Sequence, residues 1–248
     1  MGRALADLLA TGTQASSHLD DEGVVALSRV ECTDLNMAAV WGELSEDVAA
    51  GIVEWAGPLL VLASDSAYSA VAEKAEVWGI ADVDVALPVW AVELDPNRLP
   101  AALEHGRVSM VSTPDDFARV RDIIVTSYGL EPAWVTEAFP DQLLGSPTVT
   151  WYLGWSEGEA VSTIALVRAG TDVSAWCGAT LPHARGRGLF NDLVLETARL
   201  QAEGGARRFL GITEAVASGR TAMKFGGEEV GRAHVFLRGS SVGELLQA

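Results

Sequence analysis

Thr180-Leu181-Pro182-His183-Ala184-Arg185-Gly186-Arg187-Gly188-Leu189-Phe190 is the stretch on which the reading of this chain turns. A run of strand character ends at Leu181. Pro182 has no N–H and stops the ladder, and Gly186 and Gly188 allow a tight turn into a helix. Such a turn leaves several backbone N–H groups pointing one way at the positive end of a helix dipole. That arrangement binds an anion, most often a phosphate. Arg185 and Arg187 add positive charge. The plainer alternative is an ordinary connecting loop, with glycine there for geometry and arginine for solubility. Two familiar phosphate loops are excluded residue by residue. A Walker-type loop ends Gly-Lys-Ser/Thr, and this one ends Gly188-Leu189-Phe190. A dinucleotide fingerprint needs a third glycine where Asn191 stands, and it opens a domain rather than following three extended runs.

Working outward, Leu189–Glu203 has helical spacing, with Leu189, Leu193, Glu196 and Leu200 about one turn apart. Before the loop come extended runs over Thr148–Trp155, Ala160–Ala169 and Asp172–Leu181, with turn signals at Gly158 and Gly170-Thr171. Earlier still, Val108–Val111 reads as a strand. Thr113-Pro114 reads as an N-cap with proline at the first helical position, opening Phe117–Thr126, and Glu131–Leu143 reads as a second helix. After the loop helix come a strand over Arg208–Ile212, a short helix over Ser218–Phe225 and a strand over Val230–Arg238. The order is β-α-α-β-β-β-α-β-α-β, a mixed α/β domain. The first 106 residues read as a smaller α/β unit. Its strands are expected at Val24–Val30, Leu59–Ala63 and Val83–Leu94, and its helices after Ser45 and over Ala67–Trp78. A Pro-flanked linker, Leu94–Pro100, separates the two parts, giving domains 1–106 and 107–248.

Arg185-Gly186-Arg187-Gly188, within that element order, resembles the acyl-coenzyme A loop of the GCN5-related N-acetyltransferases, whose pattern is Arg/Gln-x-x-Gly-x-Gly/Ala. The resemblance covers about residues 107–238. It implies an α/β fold with a mixed sheet and flanking helices, preceded by a smaller, truncated copy of the same fold that binds no cofactor. It implies that acyl-coenzyme A, acetyl-coenzyme A in the first instance, is held by Ala179, Thr180, Leu181, Arg185, Gly186, Arg187, Gly188, Leu189 and Phe190, with no metal. The loop amides would take the pyrophosphate. The strand before them would splay from its neighbour and pair with the pantetheine arm. The chain departs from the pattern at three places. Phe190 stands where Gly or Ala is usual, Ala222 stands where the family has a tyrosine that protonates the departing thiolate, and Gly226-Gly227 replaces the usual Gly-Phe.

Acyl transfer also needs the amine deprotonated. Glu214, just after the Arg208–Ile212 strand, is the candidate base, with an exposed loop carboxylate as the alternative. Tyr128 and Tyr152 are candidates to replace the missing acid. His183 and His234 read as solvated and structural respectively, and Cys177 as turned toward the core. Trp134, Trp151, Trp155 and Trp176 are either an acceptor pocket or core. For Trp41, Trp55, Trp78 and Trp90, core is the expectation.

Composition sets the outer bounds. The 248 residues carry 34 acidic and 17 basic side chains, a net charge of -17, which argues against nucleic acid and against an anionic membrane surface. The charge is uneven: residues 1–106 hold 18 Asp/Glu against 4 Lys/Arg, and residues 107–248 hold 16 against 13. With 49% hydrophobic residues the chain can bury a core, and no apolar run nears the roughly 20 residues of a membrane span. The N-terminal MGRALADLLATGTQASSHLDDEG lacks the character of a signal peptide and reads as a short surface helix. Two cysteines, Cys32 and Cys177, make no disulfide framework, so the expected compartment is the cytoplasm. The expectation is an N-acyltransferase moving a short acyl group to a small-molecule or peptide amine, a homodimer being compatible with it. The alternative is a catalytically inactive acyl-coenzyme A-binding sensor or partner subunit.

Overall fold

The fold follows from two strand–turn–helix–strand passages, each extended by antiparallel hairpins. It is taken from a computed structural model, which describes residues 8, 15–95, 99, 106–212, 222–223 and 225–239. These fall into two compact units. One comprises Trp90–Val135 and Asp141–Glu229. The other comprises the residues up to Val89, Thr136–Pro140 and those from Val230.

In the unit built on the N-terminal residues, β1 (Ser16–Leu19), β2 (Gly23–Leu27) and β3 (Asn36–Val40) form an antiparallel meander. Helix α1 (Glu46–Glu54) then carries the chain to β4 (Leu59–Ser64), which pairs parallel with β3 from Met37↔Leu60 to Val40↔Ala63. Ser45 caps α1, its hydroxyl accepting from the Val48 N–H at 3.1 Å. Helix α2 (Tyr68–Trp78) ends at Gly79, whose φ of 64° is the left-handed stop expected of glycine. Strand β5 (Ala81–Glu93) follows and spans the boundary between the units. Val25, Leu27, Val48, Ile52, Val61, Val71 and Phe236 make this unit's core.

Two expectations for this unit need correction. The strand expected at Val24–Val30 ends at Leu27, because Arg29 adopts a φ of 61° and the Asn36 amide donates to the carbonyls of Val30 and Cys32, folding the intervening loop back on itself. That loop leads into β3, which has no strong sequence signature. Of the stretch read as an N-terminal surface helix, residues 1–7 and 9–14 lie outside the described residues; Leu8 is helical but fully buried, and Ser16–Leu19 is strand β1. The last strand, β11 (Glu228–Arg238), pairs antiparallel with β4, from Ala233↔Ser64 to Arg238↔Leu59. An apolar strand carries no label in its sequence for the edge it will join.

The other unit has β6 (Arg107–Met110), α3 (Pro114–Tyr128), α4 (Pro132–Ala138), β7 (Val149–Ser156), β8 (Glu159–Ala169), β9 (Asp172–Thr180), α5 (Leu189–Glu203) and β10 (Arg208–Ile212). Its sheet runs β10-β9-β8-β7-β6, with the end of β5 beyond β10, where the Leu94 N–H donates to the Arg207 carbonyl at 2.8 Å. Thr113 caps α3, as its sequence implies, by accepting from the Asp116 N–H at 3.1 Å. The helix expected over Glu131–Leu143 is broken after Ala138, and a 3₁₀ turn covers Asp141–Gly145. Pro140 has no N–H to continue the ladder. Val92, Tyr152, Ile164, Leu166, Val173, Leu193 and Phe209 form the core. The result is an α/β architecture of mixed sheets with flanking helices. Among the described residues no helix is long and apolar enough to cross a membrane.

Candidate functional site

Strand β9 is paired fully on one side and only in part on the other. Against β8 it is antiparallel from Ala169↔Asp172 to Ser162↔Thr180. Against β10 the parallel pairing covers Arg208↔Asp172, Phe209↔Val173 and Leu210↔Ser174 and goes no further among the described residues. Among the described residues, Ala175–Thr180 thus have no ladder partner in β10, and an extended ligand could pair with the backbone of such a segment. A bulge sits in the middle of this segment. Thr163 faces Ala179 and Ala165 faces Trp176, so Ile164 alone opposes both Cys177 and Gly178, and Cys177 takes a φ of 51°. Bulges bend a strand and re-aim its groups, and they recur beside active sites.

The chain leaves β9 through a tight turn. The Leu181 N–H donates to the Val161 carbonyl at 2.9 Å, a 3₁₀ turn covers Pro182–Ala184, and Gly186 and Gly188 have φ of 75° and 79°. Gly188 is the N-cap of α5 and brings no side-chain oxygen to the first turn, so its amides are left to the backbone, solvent or an anion. The left-handed geometry at Gly188 costs any other L-residue about 1–2 kcal/mol. The expected loop thus has the expected conformation.

The two arginines do different work. Arg185 straps the turn in place, donating from Nε to the Thr180 carbonyl at 3.0 Å and from Nη2 to the Ser127 carbonyl of α3 at 3.1 Å. Arg187 donates to the Ser156 hydroxyl at 3.2 Å and pairs with Glu157 at 3.3 Å, and His183 pairs with Glu159 at 3.4 Å. The Arg187–Glu157 pair is exposed and of the kind worth ~1 kcal/mol or less, so an incoming anion can compete for the guanidinium.

The tyrosines separate clearly. Tyr152 lies in the core, accepting from the Gln201 amide at 3.1 Å, and burial pushes its hydroxyl pKa up more than that bond lowers it. Tyr128, exposed at the end of α3, donates to the Gly178 carbonyl at 2.6 Å and so brings its hydroxyl to the bulge. Ala222 packs against the core of this unit and carries no proton donor. Glu214 lies outside the described residues, as does most of the helix expected over Ser218–Phe225. Ala179, Thr180, Leu181 and Gly186–Phe190 line the strand end and the turn together, and Cys177 is part-exposed at the bulge rather than turned wholly into the core.

Of the four tryptophans weighed for an acceptor pocket, Trp151, Trp155 and Trp176 have partners within the fold, and Trp134 is half-buried. Trp151 is buried edge-on against Phe117, Trp155 lies under the guanidinium of Arg107 and bonds Ser109, and Trp176 bonds Ser174. Trp78 is buried in the other unit's core. An open cleft of about 610 Å³, lined by Arg119, Asp122, Trp155, Glu157, Glu159 and Leu181 among others, starts at the base of the turn. None of residues 175–180 is among its described lining, so it is not the open flank of β9. His234, in the other unit, is held by Asp65 at 2.9 Å and stacks on Tyr68 with ring centres 4.4 Å apart, a structural placement.

Two signals were missed from sequence: the bulge at Cys177-Gly178 and the approach of Tyr128 to it. Gly178 inside an extended run is the signature of a bulge or a close approach, and it was legible.

No family model matches the chain, and no curated protein matches it. Solved structures do. A GCN5-related N-acetyltransferase from Kribbella flavida is 16% identical, with a TM-score of 0.64 over 97% of this chain and 96% of that one. One from Sphaerobacter thermophilus is 15% identical, with a TM-score of 0.57 over 95% and 91%. A tandem GNAT protein from the clavulanic acid biosynthesis pathway is 13% identical, with a TM-score of 0.57 over 96% and 95%. Likeness at such identities speaks for architecture, and this chain has the fold of the GCN5-related N-acetyltransferases.

Proposed function

We propose that residues 107–248 bind acyl-coenzyme A and transfer a short acyl group, acetyl in the first instance, to a small-molecule or peptide amine. One observation supports the reading: a strand segment, Ala175–Thr180, with no partner in β10 among the described residues, runs straight into a glycine turn and a helix whose N-cap makes no side-chain hydrogen bond. An extended amide-bearing arm ending in a pyrophosphate fits that sequence of features. The donor supplies a thioester. The amine nitrogen attacks its carbonyl carbon, the C–S bond breaks, and the sulfur takes a proton. Among the described residues Tyr128 is the hydroxyl held at the bulge, and it is assigned that proton transfer. Glu214, two residues past β10, is assigned the proton leaving the amine. Residues 1–106 are read as a non-catalytic, truncated copy of the fold. In support, the N-terminus of α1 is closed by Ser45 and followed by Glu46 and Asp47, an acidic surround no phosphate favours. The reaction is placed in the cytoplasm, as a chain with two cysteines and no disulfide framework suggests.

The second reading, an acyl-coenzyme A-binding protein without turnover, is favoured by Ala222. Incubation with acetyl-coenzyme A and a panel of amines, following thiol release, separates the two. Turnover that falls about 10²-fold or more in Tyr128→Phe, and loses its dependence on a basic group in Glu214→Gln, supports the enzyme. Tight binding with no thiol release from any amine supports the second reading.

A further inference from the structure

Phe190 and Gly178 are each unusual where they stand, and the structure makes them one feature. Gly178 is a glycine inside a strand without a left-handed φ, so backbone conformation does not require it. The reason lies in what faces it. A Cβ added at Gly178 would sit 2.7 Å from Cζ and 3.1 Å from Cε2 of Phe190, closer than Cβ contacts occur. The ring of Phe190, one residue into α5, therefore reaches across to the backbone of β9 at the bulge and rests where a side chain would otherwise be. It is partly buried and packs on the core of its unit, so it is held rather than free in solvent. The carbonyl of the same Gly178 takes the Tyr128 hydroxyl. A ring from α5 and a hydroxyl from α3 thus meet at one strand residue, midway along the flank that β10 leaves open.

Resting on the donor reading above, we propose that Phe190 is the residue that limits the donor's acyl group to a short chain. A donor anchored by its phosphates at Gly188 and lying back along β9 must pass Gly178. At about 3.3 Å per residue, Gly178 lies about 10 Å from Leu181, well along the arm toward its reactive end. A phenyl ring standing there fills the space into which a longer acyl chain would bend. A small residue at 190 would leave that space empty, and a larger residue at 178 would displace the ring. Glycine at one position and phenylalanine at the other are complementary halves of one steric limit.

The test is equilibrium binding, by calorimetry on the full chain, of coenzyme A, acetyl-coenzyme A and hexanoyl-coenzyme A. The expected result for the unaltered protein is hexanoyl-coenzyme A binding about tenfold or more weaker than acetyl-coenzyme A. Phe190→Ala removes that difference, read as the ratio of the acetyl- to the hexanoyl-coenzyme A dissociation constants within the variant, whatever the change in affinity for coenzyme A itself. Phe190→Leu, which keeps an apolar side chain on the core, gives an intermediate ratio and serves if the alanine variant unfolds. Gly178→Ala weakens all three ligands, and combining it with Phe190→Ala restores them. An acetyl-to-hexanoyl ratio unchanged in both Phe190 variants overturns the proposal and leaves the donor reading standing. Failure of coenzyme A to bind any form, the unaltered protein included, overturns both.

Discussion

A strand–helix–strand passage occurs twice in the chain, and the two copies differ in how far their described strands pair. In β3–α1–β4 the parallel pairing continues to Val40, the last residue of β3. In β9–α5–β10 it reaches only Ser174 among the described residues, with Ala175–Thr180 still to come. Helix α1 is shut at both ends by side chains. Ser45 takes its N-terminus, and the Arg238 guanidinium donates to the carbonyls of Ile52 and Trp55 at its C-terminus and to Trp78 at the end of α2. Helix α5 begins on a left-handed glycine and ends at Gly204, whose N–H bonds back to Leu200. Topology alone therefore does not make a binding site. What the helix N-terminus is left to bind, and how soon the strands part, distinguishes the two.

The comparison can be broken hardest at Gly188. A β-branched residue there must hold a φ of 79° and crowds the amides, so Gly188→Val should weaken coenzyme A binding by about tenfold or more, read by calorimetry. Gly188→Asn, which tolerates the left-handed region, should retain most of the affinity. Unchanged affinity in the valine variant would mean that the pyrophosphate does not sit on this turn.

Smaller effects belong to the closed copy and should appear in stability without touching ligand affinity. Arg238→Ala leaves the carbonyl ends of α1 and α2 without their charged donor and is expected to cost about 2 kcal/mol in denaturant unfolding. Ser45→Ala should cost about 1 kcal/mol, with coenzyme A binding unaltered. If either variant lowers ligand affinity while its fold is intact, the two copies are not independent in the way their helix ends suggest.

The smallest effect is on pH. Burial pushes the Asp20 carboxyl up, but the Ser45 hydroxyl and the amides of Glu22 and Gly23 outweigh it and hold it below its ordinary value near 3.8. A lowered carboxyl contributes stability above its unfolded value, and that contribution is lost as the pH falls through the folded one. Melting temperature followed below pH about 4 should therefore fall less steeply in Asp20→Asn than in the unaltered protein.

Most of the second copy was legible because its signals are local. Thr113-Pro114 fixes the start of α3, Leu189–Glu203 was bounded to the residue, and the Arg-Gly-Arg-Gly turn forces its own conformation. The first copy was less legible. Its β1 and β3 are short, and the loop between β2 and β3 is shaped by the side chain of Asn36 reaching back rather than by any turn sequence. At the site, the loop residues were readable and the chemistry was not. That Tyr128 meets Gly178 depends on two segments fifty positions apart, and that Phe190 meets Gly178 depends on how α5 packs on β9. Spacing along a chain does not encode either contact.

The return of β11 to β4 bears on how the protein is made. Phe236, fully buried among Val25, Ile52 and Val61, is synthesised about 170 positions after the β4 strand it pairs with. That unit spends synthesis with one side of β4 unoccupied, waiting for a strand about 170 positions downstream. Cutting the chain after residue 106 would leave that wait permanent. The acidic N-terminal segment, with 18 carboxylates against 4 cations, has the repulsive surface that keeps an incomplete sheet edge from finding another copy of itself in the meantime.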